Sequence, residues 1–425
     1  MVLSSIIDAA IDGKLEDLAS FVKEWRKELR IGVKLLLSLA AEKNAKQVET
    51  AVKQSVRAGR APGAWPSKEW DQAIVRRFAP VWRSHEEARQ WSKEVLQDRV
   101  TFAADGSQAV IEDLWPCVAF VQVATFENPH RENGGYRKSV VNDLITLFGP
   151  DDYDPQAEND VKFRRFQLEV ESLARFVEER RGWRERKERM PLGFFDGSLL
   201  VSLSPPHTLP QANRWQQRYA EEIQKLVRVS HEAHVPVIGY IDQSLARDVV
   251  RLLNTLEGGE RFSKLLDVHL FNPEFLKEAR VPSEGGRRLS DESVDRLALN
   301  GWGDRTIFFY CLREGPDTPR AERRDDWNPP IGFAYIRTNG VGGPARLDIP
   351  SWVYEEGLLD EVVDVVRAEC VVGNGYPYPI EAADAASVIR SADRHLLAER
   401  VLQQAQKRSI PLGLSRKMLS KERRR

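Results

Sequence analysis

Two copies of one tripeptide carry the residues best suited to chemistry. Asp105-Gly106-Ser107 follows the apolar run Thr101-Phe102-Ala103-Ala104, and Asp196-Gly197-Ser198 follows Leu192-Gly193-Phe194-Phe195. A short apolar run reads as a buried strand, so each copy delivers a carboxylate at a strand end, just before a glycine that lets the backbone turn. Two such acids, far apart in sequence, can converge on one divalent cation. A hard ion such as Mg²⁺ takes oxygen ligands and keeps several waters for a substrate. The plainer reading is that Asp-Gly is a turn signal and nothing more.

A third carboxylate has helical support. Residues 158–181 carry Phe163, Phe166, Val170, Leu173 and Val177 at helical spacing, which makes one apolar stripe. At about 100° per residue, Glu169 lies at the flank of that stripe, within reach of a neighbouring strand end, and Glu171 points further towards solvent. The plainer reading of Glu169 is a boundary residue paired with Arg165. The acidic run 149–160 has the side chains for a metal site, but its prolines and irregular spacing favour a solvated loop.

Several chemistries are absent. The chain has no G-x-x-x-x-G-K-[ST] loop and so no ATPase of that class. It has no G-x-G-x-x-G behind a strand, no H-E-x-x-H and no G-x-S-x-G, and no histidine context for a Cys or Ser nucleophile. Carboxylates remain as the reactive groups. With 30% charged residues and a net charge of −1, the chain is neither a polycation nor an acidic tail, and any nucleic-acid contact must come from local basic patches. Three widely spaced cysteines make neither a disulfide framework nor a zinc pattern and suit a reducing compartment. The start lacks a basic n-region with a long apolar core, and no stretch approaches a membrane span. The expectation is a soluble, cytoplasmic protein with no membrane association.

The positioning elements follow in order. Residues 1–95 read as a helical N-terminal region, with Leu15, Leu18, Phe21, Val22 and Trp25 at helical spacing and a further helical stretch at about 68–98. Strands are expected at 100–104 and 115–127, at 192–195, and at 235–242, which ends in Asp242; helices are expected at 158–181, 212–233 and 246–256. This alternation is that of an α/β domain. Asp242 reads either as a group supporting the acids or as a cap of the helix that follows. Three further strands precede a helix from Pro350 to about Cys370. The stiff loop Gly373-Asn374-Gly375-Tyr376-Pro377-Tyr378-Pro379 leads into a last helix at about 381–407, with Ala382, Ala386, Ile389 and Leu396 as core candidates. Residues 411–425 form a basic tail, solvated by default and otherwise a phosphate contact.

Taken together over about 100–405, these residues resemble the NurA nuclease family. The resemblance rests on Asp105 and Asp196 in their Asp-Gly-Ser settings, a helix Glu between them, and the late Gly-Tyr-Pro-x-Pro loop. Gly239-Tyr240-Ile241-Asp242 with the following Ala-Arg-Asp-Val-Val, and Arg346-Leu347-Asp348-Ile349-Pro350, also match. The resemblance implies an RNase H-like core, a mixed sheet flanked by helices, over 96–410. It implies phosphodiester hydrolysis of DNA with two metal ions (Mn²⁺ or Mg²⁺), one activating water and one stabilising the leaving oxygen. Asp105, Glu169, Asp196 and Asp384 would be the metal ligands, with Glu171 in reserve for Glu169, and Tyr376 would touch the phosphate or a bound water. The family's late motif has a His where this chain has Asp384; a carboxylate also binds these ions. The implied activity is a 5'-3' exonuclease, a single-strand endonuclease or both, in DNA end processing and repair. The implied partners are DNA, a HerA-like hexameric ATPase and a second copy of the chain. Residues 1–95 would dock onto the ATPase or simply cap the fold. The alternatives are a NurA-like DNA-binding scaffold without catalysis, and an RNase H-like hydrolase of RNA.

Overall fold

The computed structural model describes residues 2–58, 62–111, 114–115, 117–147, 157–200, 210–257, 261–280, 289–313, 330–340 and 342–414. The acidic stretch 149–156, prolines 205 and 206, the glycine pairs at 258–259 and 285–286, and the basic residues 416–425 lie outside the described residues. In chain order come helices α1 (Val2–Glu42) and α2 (Ala45–Arg57), strands β1 (Gly63–Pro66) and β2 (Val75–Arg76), and α3 (His85–Leu96). Next are β3 (Thr101–Ile111), β4 (Leu114–Trp115), β5 (Val118–Asn128), β6 (Arg137–Thr146), α4 (Ala157–Arg180), β7 (Leu192–Asp196), α5 (Pro210–Ala233) and β8 (Val237–Ile241). Then follow α6 (Asp248–Glu257), α7 (Pro273–Ala279), α8 (Asp291–Asp295), β9 (Arg305–Thr306), β10 (Phe309–Leu312), β11 (Ile331–Ile336) and β12 (Ala345–Pro350). The chain closes with α9 (Ser351–Glu355), α10 (Leu359–Val372), α11 (Tyr378–Ser387), α12 (Ser391–Lys407) and β13 (Gly413–Leu414). Among the described residues no helix is long and apolar enough to cross a membrane.

Packing divides the chain into two units, one of residues 1–82 and 240–356 and one of residues 83–239 and 357–425. In the second unit the sheet order is β8-β7-β3-β5-β6. β3, β5 and β6 are antiparallel neighbours, and β7 runs parallel to β3 with Thr101 opposite Leu192 and Ala104 opposite Phe195. Numbered by chain order, these five strands stand 3-2-1-4-5, a mixed sheet of the kind the family resemblance implies. β7 is apolar over four consecutive residues because it lies between two other strands and is buried. β6 is the exposed edge; Arg137, Lys138 and Asp143 blunt it, and it has no apolar run that would announce a strand. α4 and α11 both pack on β3.

In the first unit β1, β10, β11 and β12 form an antiparallel sheet, with Phe333 opposite Asp348 and Trp65 opposite Tyr310. On α1, Trp25, Leu29, Val33 and Leu36 are buried, whereas Leu15, Leu18 and Phe21 on the same stripe are about half exposed. Residues 68–98 are not one helix: a single 3-10 turn at 68–71 and β2 come first, and α3 starts only where Ser84 caps it, its hydroxyl accepting from the Glu87 amide. Asp242 does not cap the helix after β8. That helix is α6, and Asp267 caps it from a distance, accepting from the Asp248 amide at 2.8 Å and the Val250 amide at 2.9 Å.

Asp267 belongs to a buried charge network in the same unit. Arg346, 1% exposed, donates to Asp348 at 2.7 Å and to Asp248 at 2.6 Å, and its guanidinium lies 3.9 Å from the centre of the Phe333 ring. Arg313 grips both oxygens of Asp248 at 2.8 and 2.7 Å, and the Tyr335 hydroxyl donates to Asp267 at 3.1 Å. Burial, with Asp248 adding, pushes the Asp267 carboxyl up to about 6.

Candidate active site

The two Asp-Gly-Ser copies do different things. Asp196 is the last residue of β7, and Gly197 follows at φ 138°, a conformation that favours glycine. Asp105, by contrast, lies in the middle of β3, which runs on through Gly106 and Ser107 to Ile111, paired with β5 throughout. The strand-end expectation for Asp105 is therefore corrected. Gly106 is required for a different reason. A Cβ there would stand 2.6 Å from Glu169 Oε1 and 2.7 Å from Arg165 Cγ. The missing side chain is what allows the Glu169 carboxylate to lie across the strand beside Asp105.

Glu169, 9% exposed, is on the buried side of α4. Burial pushes its carboxyl up to about 8; Arg165, at 3.4 Å, opposes the rise, and Asp105 and Asp196 add to it. Both expected features of Glu169 therefore hold together: it is paired with Arg165, and it faces the two acids. Glu171 is exposed and turned to Arg164 at 3.3 Å, which also holds Asp143 at 2.7 Å.

α11 and the loop before it supply the other groups. The Tyr376 hydroxyl donates to Asp196 Oδ1 at 3.0 Å. Asp384 is exposed and lies late in α11, because that helix already starts at Tyr378 and ends at Ser387. Residues 388–390 separate it from α12, so 381–407 is two helices; Ala382 and Ile389 are buried, but Leu396 is 53% exposed. Ser387 was not anticipated. Its hydroxyl donates to Asp105 Oδ2 at 2.8 Å and lies 3.0 Å from the Asp384 carbonyl. Its own carbonyl accepts from Ser107 Oγ at 2.5 Å and Gln122 Nε2 at 3.0 Å, which ties the end of α11 to β3 and β5. The signal available in the sequence was its spacing, three residues after Asp384 and so on the same helix face. Burial raises the Asp105 carboxyl above its ordinary value; the Ser387 bond opposes this and Asp384 adds to it.

The structure thus gathers Asp105, Glu169, Asp196, Asp384 and Tyr376 in one neighbourhood, with Asp242 placed in the other unit. As the side chains stand, no three His, Cys, Asp or Glu groups among the described residues form a metal-binding arrangement. The donor set nevertheless fits a hard divalent cation in kind. It is all oxygen, and its buried member, Glu169, is raised to about 8 first by burial and then by Asp105 and Asp196, against Arg165 and the Gly106 backbone. A cation would supply the missing positive charge, and with it the site could bind a phosphodiester that brings more negative charge.

A family model described as the NurA domain matches residues 99–389. Among solved structures the chain is similar to the NurA nuclease from Sulfolobus solfataricus, at 13% identity, covering 76% of this chain and 92% of that one with a TM-score of 0.42. It is similar to a NurA solved with manganese, at 10% identity over 71% of this chain and 88% of that one, TM-score 0.35. It is also similar to the catalytic domain of human endonuclease V, at 12% identity over 77% of this chain and 97% of that one, TM-score 0.28. No curated protein matches the chain.

Proposed function

Because this chain belongs to the NurA family, we propose that it is a metal-dependent nuclease that hydrolyses DNA phosphodiesters at strand ends or in single strands. The observation that carries the reading is the meeting of Asp105, Glu169 and Asp196 from β3, α4 and β7, with Glu169 buried between the other two acids and raised to about 8. Asp105, Glu169, Asp196 and Asp384 would hold Mn²⁺ or Mg²⁺, and a NurA has been solved with dAMP and manganese. Bound as a pair, such ions lower the pKa of an attacking water and neutralise charge on the scissile phosphate. The chain's own groups do the rest. Glu169 sheds its proton to become a ligand. Tyr376 orients Asp196 by donating its hydroxyl to Oδ1. Ser387 fixes Asp105 from behind. Family membership supports a role at DNA ends in repair with a HerA-like hexameric ATPase, and assembly as a homodimer.

The test is cleavage of end-labelled single- and double-stranded DNA, and of a matched RNA strand, with Mn²⁺, Mg²⁺ or EDTA. Wild type cuts DNA only with a divalent ion, and Asp196→Asn loses at least about 100-fold, more than loss of a supporting partner costs. Cutting of RNA alone would favour the RNA hydrolase. No cutting with or without the ATPase would reduce the protein to a binding role. Ser387→Ala gives a finer result. Removing the hydroxyl that stabilises the Asp105 carboxylate raises its pKa further, so the acid limb of the pH–rate profile moves to higher pH. Rates at alkaline pH converge on wild type; an unmoved acid limb would remove Ser387 from the site.

A further inference from the structure

α4 and α5 pack side by side in the second unit, and aromatic rings line the seam. The Phe166 and Tyr219 rings lie 4.5 Å apart, Phe163 and Tyr219 5.3 Å, and Phe163 and Trp215 5.9 Å. The Arg218 guanidinium sits between two of them, 4.0 Å from the Phe163 ring centre and 4.4 Å from that of Trp215. Arg218 is also paired with Asp160 at 3.3 Å, at a position where both side chains remain partly exposed. Further along the same helices the seam is sealed: Leu173 and Leu226 are fully buried. Phe166, Trp215, Arg218 and Tyr219 are only partly covered. The helix pair thus leaves part of the large apolar area of these rings uncovered.

This seam leads into the carboxylate site. Phe166 meets Phe195 edge-on at 6.0 Å, on the face of β7 opposite to that of Asp196, so the link from the seam to the acids runs through Glu169 on α4. Arg165, one residue before Phe166, holds Glu169. The Tyr219 hydroxyl feels burial first, and then the charges of both Arg165 and Glu169. Partly covered aromatic faces interleaved with guanidinium groups are what unstacked bases and their phosphates bind; a duplex keeps its base faces stacked and cannot use them.

We propose that Phe166, Tyr219, Trp215 and Arg218 form a stacking track that holds the bases of a single DNA strand as its backbone approaches Glu169 on α4. The track deepens the nuclease reading and rests on it for the identity of the strand. It gives the chain, whose overall charge is −1, a local means of holding a polyanion beside a cluster of carboxylates.

The test is equilibrium binding of a labelled thymidine oligonucleotide to the full-length protein in EDTA, where nothing is cut. A second strand of equal length without bases serves as comparison. Trp215→Ala binds the thymidine strand about tenfold more weakly, the loss of stacking with one base, and binds the base-free strand as wild type does. Trp215→Phe restores most of the affinity. Arg218→Gln is an independent probe: it lowers the slope of log affinity against log salt by about 0.7, one phosphate contact on a single strand. Equal binding of the thymidine strand by wild type and Trp215→Ala would overturn the track, and so would an equal loss on both strands. Cleavage with Mn²⁺ is read separately on wild type. Trp215-dependent binding without cutting would remove the nuclease and leave the track, whereas cutting with Trp215-independent binding would do the reverse.

Discussion

Glu169→Gln abolishes metal-dependent cleavage and, in the metal-free protein, raises the melting temperature at alkaline pH. The first effect follows from the loss of a ligand oxygen and of its charge. The second follows from what Glu169 costs the fold. Its carboxyl is at 4.5 in the unfolded chain and about 8 in the folded one, raised by burial and by Asp105 and Asp196. Below pH 4.5 it is protonated in both states, and its contribution to stability is fully present. Between 4.5 and 8 the folded state holds a proton that the unfolded state has released, so stability falls as pH rises and is lost once the folded carboxyl ionises. The difference between 4.5 and 8 corresponds to about 5 kcal/mol. Gln carries no charge at any pH, so its curve lacks this decline. Thermal scans of metal-free protein from pH 5 to 9 check it: the two curves diverge by several degrees towards pH 9. Adding Mn²⁺ stabilises wild type and not the variant. Parallel curves would mean that the folded chain does not raise the Glu169 carboxyl, by its burial or by the neighbouring acids.

Arg346→Met destabilises the protein by about 3–5 kcal/mol, the cost of leaving buried charges without their partner. Arg346 bonds Asp248 and Asp348 and lies 4.0 Å from Asp267. Without it Asp248 keeps Arg313 but loses one of its two guanidinium partners, Asp348 loses its bond from Arg346, and Asp267, which holds the first amides of α6, loses a nearby positive charge. Arg346→Lys recovers little, since an ammonium cannot serve two carboxylates from a planar fork or stack on Phe333. Urea unfolding measures the loss, and a change below about 1 kcal/mol would show that water or rearrangement replaces the network.

The acids were legible in the sequence because an apolar run followed by Asp-Gly is informative whichever way the glycine is used. How it is used was not legible. Gly106 and Gly197 have identical neighbours on both sides, and only the arrival of Glu169 across β3 distinguishes a strand interior from a turn. Glu169 was within reach of helical periodicity, since a stripe fixes which carboxylate lies at its rim. Ser387 was not, because a lone serine near a helix end is ordinary until its hydroxyl is seen to meet Asp105. β6 escaped notice because an edge strand needs no apolar run. Leu15, Leu18 and Phe21 fit a helical period yet are exposed, since periodicity reports a face and not what covers it. The same holds for Leu396 on α12.

The acids differ in how much backbone restrains them. Asp105 is held in mid-strand opposite Ala124 of β5, one residue beyond the pairing with β7, and the Ser387 hydroxyl holds its carboxylate. Asp196 stands at a strand end beside a glycine, and Asp384 on an exposed helix face. One wall of the site is therefore preorganised and the other adjustable. In the proposed nuclease, ions and substrate would draw the adjustable carboxylates towards a fixed reference, at the cost of a few side-chain torsions while the sheet stays as it is. On that reading, affinity for the ion would be traded for turnover: a site that closes by rotamer changes also opens by them, and would release its product strand without unfolding anything.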